Sequence, residues 1–254
     1  VLIVAVLDRP IVVPKMLFLS AWNMIDTGAE PPPAFGTNLH YWSTADARGT
    51  LEKRALGSLE TLGLARNGRL NPMWRGTLTA LAQADREYYS FTVFEDGKSC
   101  SILIASHDGY ALRVVIDDQV VALAPIEDRW HATALVETLP EVPGASVRAV
   151  SMPREFYDDP EHDRSDPLAE PVDTRDRDHL AEVLARPRRA VHQLYSARRD
   201  NGERVRSSPI TVIDLAGEGG RVVTYVSGDG DVVMVPGTGS DLVVTINDTM
   251  NGLG

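Results

Sequence analysis

Apolar and polar positions change their period several times along the chain, and each change marks an element. Residues 1–7, VLIVAVL, form a continuous apolar run. It is too short to span a bilayer and lacks the basic leader of a secretory signal, so a strand docked on the main sheet is expected. From Ile11, IVVPKMLFLSAWNMID reads as a strand passing into a short helix or turn around Trp22. Pro31-Pro32-Pro33 ends it, since proline lacks an amide donor and fixes φ. Leu51, Ala55, Leu59 and Leu62 then recur at helical spacing on one face, and Gly63 follows as a helix-ending residue. Asn71-Pro72 opens a second helix, with Asn as N-cap, Pro at the first helical position, and Met73, Thr77, Leu78 and Leu81 on the inner face.

Beyond Leu81 the period drops to two. SFTVF, SILIA, LRVVI and VVALA, and later QLYSA, ITVID, VVTYV and VVMV, are β-prone runs. Asp96-Gly97, Asp108-Gly109, Asn201-Gly202, the glycines of 217–220 and Gly228-Asp229-Gly230 lie between them as hairpin cues, so the strands are read as antiparallel. Each set closes with a proline and an amphipathic stretch, carrying Ile126, Trp130, Leu135 and Leu139 in one and Leu242, Ile246, Met250 and Leu253 in the other. Leu81 corresponds to Leu184, Gly97 to Gly202 and Pro125 to Pro236, an offset drifting from 103 to 111 residues as turns lengthen. The second half therefore repeats the first as a pattern. The expectation is an α+β chain, a single unit of two pseudo-repeats with a duplicated antiparallel sheet. Its parts are a strand and helical module (1–80), a first sheet half with closing helix (81–150), an acidic Pro-rich connector (151–178), and a second half with C-terminal helix (179–254). How the halves pair is left open by the pattern.

Composition narrows the function. The net charge of −11 over 254 residues opposes nucleic-acid binding, where affinity comes from cations replacing counterions. The helices before and after residues 63–70 could be read as a helix-turn-helix, but MWRGTLTALAQ offers one basic residue to a DNA groove. One cysteine, Cys100, forms no internal disulfide and reads as a small buried side chain within a strand. The segment 153–173 is rich in proline and acid, too poor in apolar groups to order itself. Its cluster Asp158, Asp159, Glu161, His162, Asp163 and Asp166 lacks the alternate donors and central glycine of an EF-hand. The histidines at 40, 107, 131, 162, 179 and 192 show no metal-ligand spacing and no matching nucleophile, and His107 beside its turn is expected to be solvated. The glycine groups join strands, unlike a phosphate loop, which opens a helix. Arg186, Arg188, Arg189, Arg198, Arg199, Arg204 and Arg206 form the one basic region, read as facing solvent, pairing with the acidic connector or meeting an acidic partner. No catalytic residue, metal or cofactor is expected. The pattern points to a non-enzymatic, cytosolic binding scaffold with no membrane-inserted segment.

The order of parts carries a resemblance. LFLSAWNMID followed by PPPAF, the helix pair RGTLEKRALGSLETLGLARNGRLNPMWRGTLTALAQADRE, and LARPRRAVHQLYSARRDNGERVRSSPITVID together are similar to the EspG family over roughly residues 11–250. These are cytosolic secretion-associated proteins of type VII (ESX) systems in actinobacteria. The resemblance implies a quasi-two-fold α+β protein, a central antiparallel sheet flanked by helical bundles. It also implies a specific chaperone that binds the exposed tip of the PPE protein in a PE–PPE pair and directs it to its secretion machine. The resemblance implies contact through the loop between the first two long sheet strands, the sheet face and the C-terminal helical bundle. Carried over by position, the loop is Glu95, Asp96, Gly97, Lys98 and Ser99, and the bundle face includes Trp130, Leu135, Leu242, Ile246 and Met250, which serve equally well as core. The loop is short for a deep clasp. In an organism without PE or PPE proteins the client would be another helical hairpin, such as a WXG-type protein. The alternative function is a non-catalytic assembly factor of the secretion apparatus, and homodimerisation stays open.

Overall fold

A computed structural model of the chain describes residues 6–25, 27–36, 45–158, 174–200 and 202–253. Residues 1–5 of the opening apolar run, His40, Asn201, and Asp159, Glu161, His162, Asp163 and Asp166 of the acidic cluster lie outside the described residues. Leu7, at the end of that run, is buried and donates its amide to Thr77 Oγ1 at 3.0 Å.

The N-terminal part builds β1 (Ile11–Pro14), α1 (Lys15–Trp22), a 3-10 helix (Pro33–Phe35) and α2 (Ala45–Thr61). A two-residue ribbon, β2 (Ala65–Arg66) with β3 (Arg69–Leu70), then leads into α3 (Pro72–Ala82). Asn71 caps α3 as expected, its Oδ1 accepting the Trp74 amide at 2.6 Å. Ala55 and Leu59 of α2 are buried, but Leu51 and Leu62 are 53% and 48% exposed. Among the described side chains of α2, Ala55 and Leu59 reach the core, and the apolar stripe overhangs it at Leu51 and at Leu62 just beyond the helix.

The first half of the main sheet is β4 (Arg86–Phe94), β5 (Ser99–His107), β6 (Tyr110–Ile116) and β7 (Val120–Ile126), closed by α4 (His131–Thr138). The chain continues through β8 (Val150–Pro153), α5 (Arg154–Asp158) and α6 (Arg175–Leu184). Part of the stretch expected as connector is thus an edge strand and a short helix. The second half is β9 (Arg188–Asp200), β10 (Glu203–Arg206), β11 (Ile210–Leu215), β12 (Arg221–Val226) and β13 (Asp231–Pro236), closed by α7 (Gly239–Asn251).

β1 and β4 to β13 join one sheet of eleven strands, in the order β1-β7-β6-β5-β4-β9-β11-β12-β13-β8 with β10 paired to β9 beside this path, and every ladder is antiparallel. β10 and β11 follow one another along the same side of β9. The halves meet where β4 pairs with β9 from Arg86↔Arg198 to Phe94↔Ala190. On each side the outermost strand precedes its meander in sequence and pairs with the meander's last strand, β1 with β7 and β8 with β13. This is the duplicated, quasi-two-fold antiparallel sheet that the pattern and the resemblance implied.

A two-fold axis normal to a sheet keeps related helices on the same face. Accordingly α4 and α7 share one face, where Leu135, Leu139, Leu242, Ile246 and Met250 pack on Tyr88, Ile104, Leu194 and Val212. On the opposite face, α1, α3, the 3-10 helix and the middle of α2 cover the first half around Phe18, Trp74, Leu78 and Leu103. There α6 covers the outer part of the second half through Leu180 and Val183 against Ile213 and Met234. Between these two covers runs the central pair β4–β9.

Candidate partner interface

Side chains alternate faces along a strand, so register decides what the central pair presents. Tyr89 and Tyr195 are directly opposed, which puts Tyr89, Phe91 and Val93 of β4 on the same face as Val191, Gln193 and Tyr195 of β9. Tyr89 is enclosed by the core, Phe91 and Tyr195 are half-buried, and Val93 is 55% exposed. The rings form one aromatic group: Tyr89 stacks on Tyr195 at 5.1 Å, and Phe91 meets both edge-on at 5.7 and 6.0 Å. The outcome is a largely apolar strip between two helical walls, interrupted by exposed Gln193, whose Oε1 accepts from the Tyr195 hydroxyl at 3.3 Å.

Arginines close one end of this strip. Arg204 lies over Tyr89 at 5.3 Å and grips the buried Glu87 with Nη2–Oε2 at 2.7 Å. Arg199 donates to the carbonyls of Ala82 and Ala84, at 2.8 and 3.1 Å, fastening the end of α3. Arg206 is exposed and lies over the Tyr195 ring at 5.0 Å. Arg199 and Arg204 are thus tied into the fold, while Arg188, Arg189 and Arg206 of the basic region are exposed.

At the other end is the β4–β5 turn. Gly97 has φ +79, Asp96 Oδ1 accepts the Lys98 amide at 3.1 Å, and Lys98 Nζ meets Asp96 Oδ2 at 2.7 Å. Hydrogen bonding from Lys98 lowers the Asp96 pKa below its ordinary value. Glu95, Asp96, Gly97, Lys98 and Ser99 thus form a short charged tip beside Val93.

The other residues expected at the interface are placed elsewhere. Leu135, Leu242, Ile246 and Met250 are buried between α4, α7 and the sheet and present no surface. Trp130 is 58% exposed under the Arg129 guanidinium at 5.6 Å, but it precedes α4 on the other face. Through Ile126↔Ala111, Ala111↔Ser106 and Ser106↔Arg86 that region is level with the start of β4, about 25 Å along the strands from the tip. Phe91, Val93 and Tyr195 were not singled out as a surface from the sequence, because alternation shows two faces and not which is left uncovered; Arg206 is exposed, as the reading of the basic region allowed.

Two polar clusters were also invisible in the spacing. Across four strands, Thr92 Oγ1 meets His192 Nδ1 at 2.8 Å, and His192 Nε2 meets Asp214 Oδ2 at 3.1 Å. Arg221 donates to Asp214 Oδ1 and Oδ2 at 2.6 and 2.9 Å and to the Pro140 carbonyl at 2.8 Å. A hydroxyl–imidazole–carboxylate line has the elements of a nucleophilic site. Here all four side chains are buried, and Arg221 occupies both carboxylate oxygens, so the cluster ties the strands together. Burial pushes the nearby Cys100 thiol up, away from a reactive thiolate.

The second cluster lines a cavity of about 300 Å³ formed by Asp85, Arg86, Ser106, His107, Asp108, Gly109, Asp128 and His131. His107 is not a solvated bystander. Its Nδ1 meets Asp85 Oδ2 at 3.0 Å, and His131 Nε2 meets Asp128 Oδ1 at 2.8 Å. These groups pair with one another.

Residues 16–248 match the EspG family. The chain belongs to the EspG family. No curated protein sequence matches it. Among solved structures it resembles the Mycobacterium tuberculosis type VII secretion system chaperone EspG5, determined in complex with a PE25–PPE41 dimer. The TM-score is 0.69 at 13% identity, over 96% of this chain and 97% of that one, a likeness of fold. No helix among the described residues of this EspG-family chain is long and apolar enough to cross a membrane.

Proposed function

We propose that this EspG-family chain is a type VII secretion chaperone. It acts in the cytosol, binding the exposed helical tip of the PPE protein in a PE–PPE pair, keeping it soluble and delivering it to the secretion machine. It works by binding, without bond chemistry, as one unit of two pseudo-repeats. A helical tip with exposed apolar groups drives self-association unless covered. The apolar strip of Phe91, Val93 and Tyr195, bordered by residues 95–99, is a surface suited to cover it, in a fold shared with a chaperone solved on its PE–PPE partner. That juxtaposition is the observation that carries the reading. Stable recognition buries on the order of 800 Å² per partner, so the strip forms the apolar centre and the charged tip the rim.

The test is co-expression with PE–PPE pairs from the same genome. Val93→Asp and Phe91→Asp are expected to abolish co-purification, whereas Trp130→Ala measures whether contact extends to the α4 side. Undiminished recovery of the client with both aspartate variants would refute the assignment of the surface. Wild-type chain that leaves every such pair insoluble and unbound would refute the function.

A further inference from the structure

We infer that Arg206 is a specificity determinant, receiving a carboxylate carried by the helical tip that docks on the strip. This rests on the docking reading above and adds the chemistry by which one client is chosen over another. The chain is acidic overall, with a net charge of −11, so an acidic client meets general repulsion unless a cation is placed for it. Several neighbouring arginines are committed, Arg204 to Glu87, Arg199 to two carbonyls, Arg221 to Asp214 and Arg186 to Glu182, whereas exposed Arg189 lies at the opposite, charged-tip end of β9. Arg206 pairs with no carboxylate among the described residues, and its guanidinium lies over the face of Tyr195.

That contact is also what prepares it. A guanidinium lying over an aromatic ring keeps its N–H groups in the exposed plane, where the planar fork matches a carboxylate. Tyr195 is itself held by Tyr89 and Phe91, so the whole stack is anchored in the core. Arg206 pairs with Ala197, and Val93 with Val191, six residues away along β9. The Arg206 backbone therefore lies about 20 Å along the strands from the far end of the strip, a span of three to four helical turns, with its guanidinium reaching over Tyr195. The matching client segment is a helical tip with apolar side chains along that length and an acidic group at the Arg206 end.

The experiment measures Kd between the full chain and a purified PE–PPE dimer of the same genome, at low and physiological salt. Arg206→Glu is expected to weaken binding by about tenfold or more, and Arg206→Gln by less with a shallower salt dependence. Arg206→Lys keeps the charge but lacks the fork, and is expected to fall short of wild type. A client with its tip acid changed to lysine is expected to recover affinity for Arg206→Glu. Unfolding midpoints of all variants are compared first, so that lost binding is not lost folding. If Arg206→Glu binds as wild type while Val93→Asp does not, the inference fails and the docking surface stands. If Val93→Asp also binds normally, the docking reading fails and the inference with it.

Discussion

Tyr89 and Tyr195 stand directly opposite one another where the two pseudo-repeats join, their rings 5.1 Å apart and 15° from parallel. Tyr89 is fully buried and Tyr195 only partly, so one member supports the core while the other also borders the open strip. Tyr89→Ala is expected to cost about 3–5 kcal/mol, and Tyr195→Ala clearly less, about 1–2 kcal/mol. Urea unfolding of both variants checks this; equal losses would mean that Tyr195 is as enclosed as its neighbour.

Gly220 provides a test of backbone packing. Its φ is +72, and an added Cβ would lie 2.7 Å from Ala145 Cα and 3.0 Å from the Pro143 carbonyl, all backbone that cannot turn aside. Gly228 has open space around the same position and no positive φ. Gly220→Ala is expected to destabilise by well over about 1 kcal/mol, while Gly228→Ala stays within about 0.5 kcal/mol of wild type. Thermal melts of the pair decide it.

Arg221 neutralises a carboxylate that is otherwise sealed in the core. Arg221→Leu strands Asp214 beside His192 and is expected to cost about 3–5 kcal/mol. Arg221→Leu with Asp214→Asn is expected to recover part of that loss, because no charge remains uncompensated. A double-mutant cycle by denaturant unfolding measures the coupling; strict additivity would contradict the pairing.

The same carboxylate predicts an acid limb. Burial pushes the Asp214 pKa up, but hydrogen bonds from His192 and Arg221 and their charges outweigh it and hold the group at about 2. A depressed pKa contributes stability that is fully present above the unfolded value and lost as pH falls through the folded one. The window here is about pH 4 down to pH 2, with an amplitude on the order of 2 kcal/mol. Asp214→Asn is expected to lose this part of the acid dependence while other carboxylates keep theirs. Identical acid profiles for the two proteins would rule it out.

Local chemistry was legible along the chain wherever a residue type answers a backbone need. Asp108 and Gly109 both take positive φ at their turn, as such a pair permits, and Asn71 caps α3 because its short side chain reaches an unpaired amide. The repeat of the pattern after Leu184 likewise announced a duplicated sheet, since each half carries the same order of strands, turns and closing helix. Leu135, Leu242, Ile246 and Met250 show the limit of such reading: apolar at helical spacing, they suit a core or an interface equally. Their burial follows from α4 and α7 meeting on one face.

What the chain alone determined was most of its elements, their alternation and its family; β8 and α5, in the stretch expected as connector, it did not reveal. Tertiary structure decided the pairing of β4 with β9, the placement of β1 and β8 at the two edges, and the gathering of Thr92, His192, Asp214 and Arg221. It also decided that Val93, Phe91 and Tyr195 remain open. Period-two alternation states that a strand has two sides; only the positions of helices from distant parts of the chain determine which side is left for a partner.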